Sequence, residues 1–189
     1  MISALPFAAA AAALALALPP QAATEGSSQE LASTALTLVE DEKAPRDVSE
    51  FNLGKDGLAL HGYDPVAFFE EGGSKPKKGS DKITLTHDGV TYRFVNDKNK
   101  AAFEKNPTRY EPLYGGWCAY AMANESKADI DPESYIVTEE GLFVFYKGLF
   151  NNTRKKWKKE GAAKLKPKAD KQWKKLLDEA AKKKQGDKK

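Results

Sequence analysis

The chain has one cysteine, Cys118, in 189 residues. No internal disulfide can form. A metal centre built on cysteines alone is also excluded, because a closed zinc site takes four ligands. Histidine is nearly as scarce, with only His61 and His87. There is no Cys-x-x-Cys, no His-Glu-x-x-His, no phosphate-cradling glycine loop and no nucleophilic serine motif. Carboxylates abound, but none form a recognisable catalytic pair. The commoner enzyme classes therefore lack their residues here.

Basic residues are missing from the whole stretch before Lys43. The longest apolar run, Pro6 to Leu18, is almost wholly Ala and Leu. It falls short of the roughly 20 residues that span a bilayer. Pro19-Pro20 and then Gln21-Ala22-Ala23 follow it, so residues 1–23 read as a cleaved export signal. Two details depart from the usual pattern: no cation precedes the apolar run, and Gln21 or Pro20 stands where a small residue is customary. The expected location is periplasmic or extracellular. A single thiol in an exported protein points to a reactive, metal-binding or intermolecularly paired residue.

Residues 24–50 are rich in Ser, Thr, Ala, Asp and Glu without clear periodicity, and are expected to form a flexible acidic linker. The folded core is expected over 51–146, with a basic helical extension over 147–189. That extension holds sixteen lysines and Arg154 against five acids, a net of +12, so the other 146 residues carry −9 against the total of +3. Such a tail could meet an anionic membrane surface, while the export signal argues against nucleic acid. Trp173, Leu176, Leu177, Ala180 and Ala181 repeat at three- and four-residue spacing. This apolar stripe is better suited to docking on the domain.

Within the core, Asp64 and Pro65 give a cap and a first helical residue, and Gly72 a stop, predicting a helix of about two turns. Asp88-Gly89 predicts a hairpin over 82–95. Its register sets Leu85 opposite Tyr92, Ile83 opposite Phe94 and His87 opposite Val90. Asn96 or Asp97 caps a helix that ends before Pro107. A second hairpin, 135–146, turns at Glu139-Glu140-Gly141. Both of its faces are apolar, which leaves the register open and implies burial on both sides. The fold class is α+β: a small single domain with two β-hairpins, short helices and a docked basic C-terminal helix.

Cys118 lies in the run Tyr114-Gly115-Gly116-Trp117-Cys118-Ala119. Two glycines permit a tight turn, and the Ala-rich residues beyond favour helix. A thiol at a helix start is favoured as thiolate by the unpaired N–H groups and the dipole. Trp117 and Tyr120 could wall a pocket around it. The alternative is a buried cysteine acting as a small hydrophobe.

His61-Gly62-Tyr63-Asp64-Pro65-Val66-Ala67-Phe68-Phe69, Tyr92-Arg93-Phe94, Asn106-Pro107-Thr108-Arg109-Tyr110 and Tyr114-Gly115-Gly116-Trp117-Cys118-Ala119 together resemble YHS domain proteins. The resemblance is nearest to the exported group in which selenocysteine can replace the cysteine. It runs from about Gly57 to Trp173. Arg93 departs from the His or Tyr often found there, and Val95 stands where Ser or Cys is common. The second cysteine of many YHS domains is missing, so a two-cysteine metal site does not carry over.

The resemblance implies metal binding, and YHS domains are not established as enzymes on their own. The first expectation is thus a copper- or zinc-class module with Cys118 and His61 as ligands. Asp64, Tyr63, Tyr114, Gly115, Gly116 and Trp117 would form its pocket or surroundings. A second is a thiol redox protein in which Cys118 reacts and an external thiol partner resolves it. A third is a non-catalytic module that binds a small molecule or protein.

Overall fold

The computed structural model of the chain describes residues 46–186. The export signal and residues 24–45 of the linker lie outside the described residues. Among those described, the architecture is the α+β arrangement expected: two separate two-stranded antiparallel sheets with helices around them.

The first sheet pairs β1 (Ser80–His87) with β2 (Val90–Phe94) around Asp88-Gly89. Leu85 faces Tyr92 and His87 faces Val90, as the turn dictates. Ile83 does not face Phe94, because the ladder shifts between Ser80 and Thr84 and Ser80 takes that place. The shift follows a close approach: a Cβ on Gly79 would lie 2.4 Å from the carbonyl carbon of Arg93. Extra residues in β1 are thrown out of register where the backbones crowd.

The second sheet pairs β3 (Asp131–Thr138) with β4 (Gly141–Phe145), and Glu139-Glu140 form the turn. Ile136 faces Phe143 and Val137 faces Leu142. All five residues of β4 are buried, whereas Tyr135, Ile136 and Val137 of β3 are only half-buried, so the expected burial on both sides holds for β4 alone. β3 begins at Asp131, four residues before the expected start, and carries a register shift between Asp131 and Tyr135.

α1 (Asp97–Lys105) is capped by Asn96, whose side chain accepts from the Asn99 N–H, and α2 (Pro107–Tyr110) starts on its proline. Their Phe103 and Tyr110 pack with Phe69, Tyr92 and Phe94 in one aromatic cluster. The expected helix after Asp64 is instead two 3-10 turns, Val66–Phe68 and Glu70–Gly72, separated by an extended Phe69. The chain doubles back on itself there. Ser74 N–H reaches Phe69 O and Lys75 N–H reaches Ala67 O, and a Cβ on Gly72 would strike the Val66 carbonyl at 2.2 Å.

α3 (Ala119–Ala123) is short. The C-terminal region was expected to be helical from Lys147 but begins later. α4 (Thr153–Glu160) is capped by Asn152, and α5 (Ala162–Gly186) follows a break at Gly161, where φ is +91°. Trp157 packs on Phe143 and Phe145, with ring centroids 5.5 and 5.6 Å apart. The apolar stripe of α5 docks on the domain: Leu165, Ala169 and Ala180 are buried, and Trp173 and Leu176 pack against the core.

Residues 46–50, expected within the linker, are part of the fold. Arg46 clamps Glu111 through both guanidinium nitrogens, at 2.9 and 2.6 Å, and Tyr92 donates to the same carboxylate at 3.0 Å. Burial, then Glu111, holds the Tyr92 phenol well above its ordinary range.

Candidate functional site

Cys118 is the N-cap of α3, so its expected place at a helix start holds. The turn leading to it has the expected glycine geometry. Tyr114, Gly115 and Gly116 all have positive φ, at +57°, +59° and +85°. Gly115 has a second constraint. A Cβ there would lie 2.7 Å from the Trp173 ring and 2.9 Å from Phe51. Glycine is required both for the turn and for the close approach of two aromatic rings.

The sulfur, expected to open on a cleft, is sealed: Cys118 has no exposed surface. Its contacts account for it. Sγ accepts weakly from the Ala121 N–H at 3.5 Å and lies 3.3 Å from Thr153 Oγ1. The one hydroxyl proton of Thr153 points at Tyr146 O, 2.8 Å away. The thiol must therefore donate to Thr153, which satisfies the S–H form. Thr153, itself only 6% exposed, forms the floor of a hollow of about 340 Å3 between α3 and the start of α4. Thr153 and Ala121, both in contact with the sulfur, line that hollow, and Cys118 itself does not.

His61 lies elsewhere in contact terms. Its side chain is 39% exposed, and Nε2 lies 2.9 Å from Asp129 Oδ1. The Asp129 carboxyl is raised by burial but more strongly lowered by the Asn52 amide, the Ile130 N–H and His61, so it ionises below its ordinary range. The neighbouring Ala128 carbonyl accepts the Cys118 backbone N–H at 3.1 Å. The two candidate ligands thus meet the same short segment, one through a side chain and the other through backbone.

Asp64 is committed to structure. It is wholly buried, Oδ1 accepts from the N–H groups of Val66 and Ala67 at 2.8 and 3.3 Å, and Oδ2 accepts from Val95 N–H and Asn99 Nδ2 at 2.8 and 2.7 Å. Four donors saturate it. Tyr114 is buried and donates to Asp170 of α5 at 2.9 Å. Trp117 is half-buried, donates to Glu50 O at 2.6 Å and lies under the Lys127 ammonium. Tyr63 is also half-buried, in an isolated bridge with Lys78. Gly116 O accepts from the Asn52 amide at 3.1 Å.

These donors do not fit a copper or zinc centre. Among the described residues no three His, Cys, Asp or Glu side chains converge in an arrangement that could hold a metal ion. The soft ligand is buried against a threonine, the carboxylate is saturated and the imidazole faces a carboxylate on the surface. Three partners that settle this geometry, Asn99, Asp129 and Thr153, were not singled out from sequence. Each lies at least 35 residues from its contact.

Another opening, with apolar walls, lies away from Cys118. A cleft of about 920 Å3 separates the β3–β4 hairpin from α4 and α5. Ile136, Phe143, Trp157, Ala163 and Pro167 give it apolar walls. Its rim includes Lys166, which is paired with Asp170 at 2.8 Å and Glu140 at 3.4 Å. Comparison with known proteins gave no match: no family model, no curated protein and no solved structure aligned with the chain.

Proposed function

We propose that the chain is a non-catalytic binding module whose ligand site is the cleft between the β3–β4 hairpin and the C-terminal helices. The observation that carries this is the cleft itself. Its volume of about 920 Å3 falls within the range of about 300–1,000 Å3 typical of small-molecule sites, and apolar walls with a few polar rim groups are their usual make-up. Its rim carries both signs, with Lys166 shared between Glu140 and Asp170 and with Glu139 and Lys158 beside them, so no strongly charged ligand is favoured. The ligand class is a compact apolar or aromatic molecule lying against Ile136, Ala163 and Pro167, above the buried rings of Trp157 and Phe143. The metal expectation calls for an accessible Cys118 beside further donors and the redox expectation for an accessible Cys118, and the complete burial of that residue favours the cleft over either.

The test is a titration with anilinonaphthalene sulfonate as an apolar probe. Saturable binding is expected. Filling the cleft with Ala163→Trp, at an exposed helix position, is expected to weaken it at least about tenfold, the loss of an apolar contact area of one ring, with the melting temperature unchanged. Equal affinity of wild type and variant would sink this site assignment.

A further inference from the structure

Three large hydrophobic side chains are exposed among the described residues, and all fall within five consecutive positions: Tyr146, Leu149 and Phe150. Leu149 is 89% exposed and Phe150 97%. Scattered exposed apolar residues need no explanation, but two adjacent ones covered by nothing among the described residues do.

They also occupy a built position. Lys147 and Asn152 pair as an antiparallel bridge, and the Gly148 N–H donates to Asn151 O at 2.8 Å. Leu149 and Phe150 are the two residues left at the tip. That is where Gly, Asn, Asp, Pro or Ser normally stands. The base is fastened on both sides. Thr153 N–H and Oγ1 both reach Tyr146 O, and Asn152 Oδ1 caps α4 by accepting from the Lys155 N–H. Gly148 is packed against Tyr146, so that a Cβ there would lie 2.4 Å from its hydroxyl. The loop therefore holds its apolar pair outward rather than letting it fold back on the domain.

Charge surrounds the tip. From Lys147 to Lys159 the chain carries Lys147, Arg154, Lys155, Lys156, Lys158 and Lys159, with no acid between them. The four lysines of α4 are exposed, and they lie within the two turns that follow the loop, a rise of roughly 5 Å per turn. Three of these cations also meet the domain: Lys147 lies 3.5 Å from Asp131, Arg154 donates to Tyr135 O at 3.4 Å, and the Lys156 ammonium lies 5.9 Å from the centre of the Tyr120 ring.

We infer that the 147–152 loop is a membrane-docking wedge: Leu149 and Phe150 enter the acyl boundary of a bilayer, and the α4 cations hold anionic headgroups. The shape favours a bilayer over a protein partner. A two-residue convex tip offers little of the roughly 800 Å2 per side that a specific protein interface buries. A lipid surface needs no matching contour and rewards an apolar insertion flanked by cations.

The experiment uses the full chain carrying Phe150→Trp, with vesicles of phosphatidylcholine alone or mixed with phosphatidylglycerol. The fluorescence of the introduced indole, taken as the difference from wild type, reports the tip itself and not other lipid-contacting segments. On phosphatidylglycerol vesicles it is expected to shift to the blue and to be quenched by acyl chains carrying bromine. On neutral vesicles it should do neither. Salt at about 1 M, where the Debye length falls to about 3 Å, should reverse the shift. Replacing Lys155 and Lys156 by Gln in the same chain should weaken the response at least about tenfold, given roughly 1 kcal/mol per cation at an anionic surface. An indole that stays in water on both vesicle types overturns the inference. So does an equal response on neutral and anionic vesicles, since the cations would then play no part. Wild-type melting behaviour of each variant shows that the tip, and not the fold, was altered.

Discussion

Asp64 and Cys118 each begin a short helical segment, and each stood among the residues expected to form a site. Both turn inward, but they do so by different chemistry. The Asp64 carboxylate gathers four hydrogen-bond donors from three parts of the chain: its own turn, the residue after β2, and α1. The Cys118 sulfur receives one long N–H contact and gives its proton to a threonine. A charged acceptor ties distant elements together. A thiol in the same role mainly fills space and satisfies one neighbour. Burial alone therefore says little about what a cap contributes. The number and charge of the bonds say more.

The largest test of that contrast is Asp64→Asn. The amide keeps the size but turns one acceptor into a donor facing other donors. Denaturant unfolding should show a loss of about 3 kcal/mol, in line with buried hydrogen bonds to a charged group left unmade. A loss close to zero would mean that the four contacts are redundant. Cys118→Ala should cost less, about 1 kcal/mol, for one weak bond and a small void. Under native conditions a thiol reagent should modify Cys118 at the rate at which the protein opens, accelerating with denaturant. Rapid stoichiometric labelling of the native protein would show that Thr153 does not guard the sulfur.

The smallest expected effect lies at the exposed pair, His61 and Asp129. His61→Asn, chosen because asparagine tolerates the residue's φ of +52°, should change stability by no more than about 0.5 kcal/mol. Asp129 adds a pH signature. Its folded carboxyl ionises below the ordinary value, so its contribution is present above the unfolded value of about 4 and is lost as pH falls through the lower folded value. The melting-temperature gap between wild type and Asp129→Asn should therefore close on acidification, and a gap that widens instead would reverse the assigned sign.

Much of the scaffold was legible where a local rule decides it. Asp64-Pro65 specified a cap, Asp88-Gly89 fixed the near end of the first hairpin, Asn96 capped α1, and the spacing from Trp173 to Ala181 specified a docked stripe, of which only Ala181 is exposed. The failures occur where a distant contact overrides the local one. Ile83 lost its pairing because Gly79 presses on Arg93. The two turns after Asp64 became 3-10 because the chain returns over Val66. The start of α4 was placed too early, although Gly148 and the pair Asn151-Asn152 were readable as turn and cap. The candidate site suffered most. Cys118 is covered in part by Thr153, 35 residues away, and no spacing within the Tyr-Gly-Gly-Trp-Cys segment carries that information.

Gly115 has a bearing on how this chain can be divided. Phe51 from the beginning of the described fold and Trp173 from its end both press on that one residue, their rings meeting edge to face at 5.4 Å. Nearby, Tyr114 is tied to Asp170. A version shortened after residue 146 would strip the cover from Phe51, Phe143 and Phe145 together and leave the hinge before Cys118 bare. What the sequence marks as a lysine-rich appendage is the keystone that closes the molecule on itself.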